Sequence, residues 1–167
     1  ESVEGEEVEE PAETEEEPTE GEEEPEETEP SESVETTVSK SVADLITEYG
    51  WDDKTTKQSF TLDDVVSVKI NGGNNSGKAY YGEQIRIYAT DSPAGTMTIS
   101  VSEGYELVSV KITTQTGTYA FLCVDGTTED ICNTTVAVSG TSVVLNSVKN
   151  GSDGKHVRVT AIEVTYK

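Results

Sequence analysis

Histidine, methionine and tryptophan occur once each in the 167 residues, cysteine twice, and lysine and arginine together only 11 times. Each scarcity closes a class of function. The lone His156 sits in a strand pattern, and the spacing of the two cysteines matches no common zinc motif, which leaves no transition-metal site. Gly-x-Ser-x-Gly, a Cys and His in a plausible pair and a phosphate-binding loop are all missing, so the usual signatures of nucleophilic and phosphoryl chemistry are absent. Scattered basic residues in an acidic chain do not make the clustered footprint that nucleic-acid phosphates require. A run of about 20 apolar residues, which a membrane-spanning helix needs, is also lacking.

What is abundant is glutamate, and it is unevenly placed. Residues 1–36 hold 19 Glu with no Asp, Lys or Arg, so the 15 acidic and 11 basic groups that follow give a net charge of only −4. Four of the five prolines (Pro11, Pro18, Pro25, Pro30) lie in that first stretch, which has no aromatic residue, Leu, Ile or Met. Such a stretch has nothing to bury and cannot offset the entropy of ordering. Residues 1–37 therefore read as a disordered, self-repelling Glu/Thr/Pro linker, and 38–167 as one domain long enough for a real core. A chain that opens inside a low-complexity run, without Met or a charged-then-apolar leader, is expected to be a piece of a larger multidomain protein. Linkers of this composition suit modules of secreted proteins.

One helix is legible. In "SKSVADLITEYG", Ser41 is placed to cap, Asp44 stands three residues later, Leu45, Ile46 and Tyr49 supply an apolar face, and Gly50 ends the element. Thereafter the period falls from 3.6 to 2. Val66, Val68 and Ile70 share one face, as do Ile85 with Ile87, and Met97 with Ile99 and Val101; Arg86 and Tyr88 turn outward. "ELVSVKIT" with "TYAFLCV", and "TSVVLNSV" with "HVRVTAIEVTY", read as two successive strand pairs. Turn signals recur about every 8 to 12 residues, so about eight to ten short strands are expected. The fold class that follows is all-β, an antiparallel sandwich of jelly-roll type with one short N-terminal helix. Without crossover helices a parallel α/β sheet is excluded.

Cys123 and Cys132 bracket "CVDGTTEDIC". Closing that short loop restricts the unfolded chain by about 2 to 3 kcal/mol on the entropic account. Secretion favours a disulfide and a cytosolic origin two buried thiols, and the sequence leaves both open. Residues 125–130, "DGTTED", offer three carboxylates that suit a hard cation but lack the spacing of any defined calcium loop; a solvated hairpin tip is the simpler reading, with calcium as the alternative.

Paired carboxylates occur at Asp52 with Asp53, Asp63 with Asp64, and Glu129 with Asp130, but strand neighbours point to opposite faces. A glycosidase needs two carboxyls facing each other across a cleft. "LDDV" reads as a turn between strands, and the chain is expected to be no enzyme. Exposed aromatics and amides remain. A sugar presents a flat apolar face edged with hydroxyls, which suits a Tyr or Trp ring flanked by Asn, Asp or Arg. The candidates for ligand contact are Asn74, Asn75, Tyr80, Tyr81, Arg86, Tyr88 and Trp51; for Trp51 a place over the core end beside Leu45 and Tyr49 is the competing role.

"GW" after the helix, "GGNNSGKAYY", "IRIY", "TIS" and the closing "VRVTAIEVTYK" resemble, in combination, a β-sandwich module of secreted and cell-surface proteins of gut bacteria. The likeness covers nearly all of residues 38–167, with Gly50, Trp51, Gly72, Gly73, Asn75, Gly77, Lys78, Tyr80, Tyr81, Arg86, Tyr88, Arg158, Ile162 and Tyr166 at matching positions. It implies a non-catalytic module attached to larger surface proteins, some of which handle polysaccharides such as starch. The expected function is carbohydrate binding, in a secreted or cell-surface setting, with a polysaccharide or oligosaccharide and neighbouring domains of the parent protein as partners and no cofactor. The alternative is a structural or adhesive spacer, favoured if the aromatics are buried. The segment "LCVDGTTEDICN" departs from the family pattern.

Overall fold

Alternating side chains, a capped helix and Asp-stabilised turns account for most of the architecture. The computed structural model describes residues 33–52, 59–80, 83–115, 120–152 and 155–167. Residues 33–167 form one compact unit.

Strand β1 (Thr36–Ser41) starts inside the stretch read from sequence as linker and runs directly into helix α1 (Val42–Tyr49). Ser41 Oγ accepts the Asp44 N–H at 3.0 Å while the Asp44 carboxylate accepts the Ser41 N–H at 3.3 Å, a reciprocal cap. Gly50, at φ 60°, ends the helix in the left-handed conformation that glycine adopts without penalty. Val42 and Leu45 are fully buried, but Tyr49, expected on the apolar face, is 41% exposed and donates its hydroxyl to the Thr61 carbonyl at 3.2 Å.

Strands β2 (Ser59–Thr61) and β3 (Val66–Asn71) flank "LDDV" as an antiparallel pair. The turn forms because Asp63 Oδ1 accepts two backbone N–H groups, from Val65 at 2.9 Å and Val66 at 2.6 Å. The remaining strands are β4 (Lys78–Tyr80), β5 (Gln84–Tyr88), β6 (Thr96–Val101), β7 (Leu107–Thr114), β8 (Ala120–Val124), β9 (Thr135–Ala137), β10 (Ser142–Lys149) and β11 (His156–Tyr166). They make two antiparallel sheets, one ordered β2-β3-β6-β10-β8, the other β4-β5-β11-β7-β9 with β1 also paired to β11.

The two strand pairs expected in the last third do not form. β7 and β8 lie in different sheets, as do β10 and β11. Each of these strands has one apolar face and satisfies its backbone equally well beside several partners. Their connections therefore carry the chain across the sandwich rather than back along one sheet.

Between the sheets lie Val66, Val68, Ile70, Met97, Ile99, Leu122 and Leu145 from one side and Ile85, Ile87, Val110, Ile112, Val157, Val159, Ile162 and Val164 from the other, all at most 1% exposed. Each buried Ile or Leu stabilises by about 1.5 to 3 kcal/mol. Two polar ties cross the layer: Tyr166 Oη donates to Asp63 Oδ2 at 3.0 Å, and Ser147 Oγ donates to the Ile87 carbonyl at 3.1 Å. Burial and the Asp63 carboxylate together push the Tyr166 hydroxyl's pKa up.

Candidate ligand-binding face

The loop between β3 and β5 is built for closeness. A Cβ at Gly95 would stand 2.4 Å from Ser76 Oγ and 2.6 Å from Ile87 Cγ2, so glycine alone lets the 90s turn approach. Asp91, which the sequence reading did not single out, fastens the two segments. Its Oδ2 accepts the Ser76 N–H and hydroxyl, both at 2.9 Å, and its Oδ1 accepts from Asn75 Nδ2 at 3.0 Å; Ser76 Oγ in turn accepts the Tyr88 N–H at 2.8 Å. Asn75, a predicted ligand contact, is thus exposed but committed to Asp91, while Asn74 is exposed beside it.

Trp51 does not present a platform. It is 7% exposed, stacked on Tyr49 with centroids 5.5 Å apart and set edge-on to Phe60 at 5.4 Å. A large ring beside a helix end that buries Leu45 gains more from covering the core than from facing water. Tyr80 closes β4, but its ring and all of Tyr81 lie outside the described residues.

Arg86 and Tyr88 are where alternation predicts. With Ile85 and Ile87 fully buried, both are half-buried on the outer face of the β4-β5-β11 sheet. Register then brings in residues that sequence reading left aside. Lys78 stands opposite Arg86, Arg86 opposite Arg158, and Tyr88 opposite His156. Tyr88 and His156 pack ring on ring at 4.7 Å with planes inclined 36°. Arg158 Nε donates to His156 Nε2 at 3.0 Å, and its Nη1 to Gln115 Oε1 at 3.3 Å. That bond fixes the neutral imidazole with its proton on Nδ1. Desolvation first, then the charges of Arg86, Arg158 and Lys155, lower the His156 pKa to about 4. Lys78 and Arg158 were visible as family-like positions; only the long-range register shows that they share a row.

The other sequence candidates resolve differently. Cys123 and Cys132 are free thiols, so the bridge weighed from sequence is not formed. Cys123 is anchored opposite Asn146 in one sheet, whereas Cys132 bridges to Ile112 in the other. Burial raises the Cys123 thiol, and burial together with the Asp130 carboxylate pushes Cys132 up to about 12, so both are protonated at neutral pH. In the 125–130 segment Asp125 accepts from Asn146 Nδ2 at 2.7 Å, and Asp130 accepts the Leu122 and Cys132 N–H groups, each at 3.1 Å. Those carboxylates brace their own loop. Among the described residues no three His, Cys, Asp or Glu stand together to hold a metal ion, and no helix is long and apolar enough to cross a membrane. A depression of about 440 Å³ between β8, β10 and the β9 turn is lined by Val124, Asp125, Val138 and Val143 without an aromatic ring. No known protein family, curated protein or solved structure matches the chain.

Proposed function

We propose that residues 38–167 form a non-catalytic carbohydrate-binding module of a larger secreted or cell-surface protein, held off its neighbours by the Glu-rich linker. The observation that carries this reading is the half-buried Tyr88 ring on the outer face of the β4-β5-β11 sheet, packed against His156 on the neighbouring strand and two positions from Arg86 on its own. A ring fixed in that way stacks on the apolar face of a sugar at little entropic cost, while guanidinium and amide groups meet its hydroxyls. The order β5-β11-β7-β9 over β6-β10-β8, with the chain alternating between sheets, supports a jelly-roll-type sandwich.

Affinity electrophoresis of the whole chain against starch, cellulose, xylan and mucin glycans tests the proposal. Retention on at least one polymer, lost in Tyr88→Ala, is expected; no retention on any glycan, charged polymers included, sinks it. A spacer or adhesive role is the second reading, and the burial of Trp51 favours it, because the single tryptophan is spent on the core. Under that reading Tyr88→Ala changes association with neighbouring domains and no sugar is bound.

A further inference from the structure

A tyrosine ring exposed at the end of a helix is ordinarily free to turn, and Tyr49 is not. The residue is 41% exposed, yet its hydroxyl meets three atoms of Thr61 in β2: the carbonyl at 3.2 Å, Oγ1 at 3.0 Å and the N–H, which it accepts, at 3.3 Å. Its ring lies along Trp51, with centroids 5.5 Å apart and planes inclined 25°, and Trp51 is set edge-on to the buried Phe60. One face of the ring is backed by a buried aromatic and its tip is tied to a strand, so the area left to solvent lies toward the other face. A ring already held in place loses little entropy when a ligand stacks on it.

A second observation concerns what surrounds the ring. Thr61 stands opposite Ser67 and Ser67 opposite Ser100, so hydroxyls continue from the Tyr49 tip across three strands. Thr61 and Ser67 are exposed, as are Ser59 and Lys69 in the next row, which leaves this corner of the sheet open to solvent. Lys69 is the only charged residue at the outward positions of β2, β3 and β6. An aromatic ring beside a surface depleted of charge has the composition of a contact site rather than of an ordinary solvated sheet. The charges that flank the ring along the chain, Glu48 and Asp52, are both negative, and Glu48 is already paired with Lys40.

From this arrangement we infer that Tyr49 is a second sugar-stacking ring, taking the apolar face of an uncharged pyranose while the Thr61 and Ser67 hydroxyls meet its edge. Hydroxyls donate and accept alike, as those of a sugar do, and an aromatic face matches the flat apolar side of the ring. A carboxylate or sulfate on the sugar would stand near Glu48 and Asp52 and be disfavoured, so the site selects a neutral glycan. The inference rests on the carbohydrate-binding reading and gives it a second ring, beside the other sheet from Tyr88.

Trp51 is the only tryptophan of the chain and lies against the Tyr49 ring, so its emission reports on this site. The test titrates maltohexaose, cellohexaose or xylohexaose, with a galacturonate hexamer as the charged comparison, into the whole chain and follows that emission. A saturable change with at least one uncharged oligomer is expected. Thr61→Val, which keeps the backbone contacts, should weaken binding about two- to tenfold, the worth of one hydrogen bond. Tyr49→Ala should abolish the change, and Tyr49→Phe, which keeps the ring but frees its tip, should retain it at lower affinity. Tyr105→Ala, at the other tyrosine exposed among the described residues, should leave it unaltered, with thermal unfolding confirming that every variant folds. An emission change that survives Tyr49→Ala at full affinity, that Tyr105→Ala weakens equally, or that the galacturonate hexamer produces equally overturns the inference. Retention on a polymer in gels, with the emission unmoved and Tyr49→Ala without effect, also overturns it and leaves the Tyr88 reading standing. No binding to any glycan by either measurement removes both.

Discussion

Strand β11 is one continuous strand with two unlike halves. After Thr160 its outer face obeys the ordinary rules: Glu163 lies opposite Lys111, and the Thr165 hydroxyl meets that of Thr37 at 2.9 Å. Before Thr160 the same face sets Arg158 opposite Arg86 and beyond it Lys78. The register shift between Val159 and Ala161 separates the two halves, because an inserted residue moves the outward set from even to odd positions. Both halves bury their inner residues equally, with Val157, Val159, Ile162 and Val164 at 0% exposure. The core therefore does not explain the contrast. It lies in the outer face alone.

The comparison is broken most forcefully from beneath. Ile162→Ala should cost about 2 to 5 kcal/mol, read as a fall in the denaturant midpoint at unchanged slope, because it opens a cavity under the ordinary half. Glycan retention should persist in whatever fraction remains folded.

Acid acts on the other half. His156 is neutral in the fold down to about pH 4, whereas in the unfolded chain it takes up a proton near its ordinary 6.5. The unfolded state thus binds more protons between those values, and stability falls as pH drops through that window and levels off below it. The loss is on the order of 1 to 3 kcal/mol. Urea midpoints measured from pH 7 to 4 should show it in the parent chain and not in His156→Gln, whose amide still accepts from Arg158.

Asp91→Ala should cost about 1 to 3 kcal/mol by leaving the Ser76 N–H and hydroxyl without their acceptor. Since Ser76 also holds the Tyr88 N–H, NMR should show the Tyr88 amide shifting in this variant while Glu163 stays in place.

The smallest effect falls on the ordinary half. Glu163→Lys sets a second cation opposite Lys111 and should lower stability by about 0.2 to 1 kcal/mol, read as a small fall in the urea midpoint.

Much of the fold was legible because it is written in short-range chemistry. Ser41, Asp44 and Gly50 mark the helix, and Asp63 makes its turn with the next backbone groups along the chain. Trp51 takes the place over the core end that the sequence offered it, whereas Tyr49, expected on the apolar face, is left partly exposed, since which ring covers the core depends on where β2 arrives. The pairing of β7 with β9 and β11, and of β8 with β10, was not legible, because alternation specifies a buried face and not a neighbour. The candidate face suffered the same limit. Arg86 and Tyr88 were readable as outward residues, but Lys78 joins them through the register of the neighbouring β4-β5 pair and Arg158 only through register over more than seventy positions. One signal was present and passed over. In "HVRVTAIEV" the apolar set steps from Val159 to Ile162, three positions instead of two, and that slip is the bulge dividing the halves of β11.

The most direct test of the central claim is a residue-by-residue map of amide shifts as an uncharged oligosaccharide, such as maltohexaose or xylohexaose, is titrated into the labelled chain. The account predicts shifts at Ile87 and Tyr88 with His156, and at Tyr49 and Trp51 with Thr61, with Lys111, Glu163 and Thr165 silent. Shifts centred on the Val124 and Val138 depression, or spread evenly along both halves of β11, would contradict it.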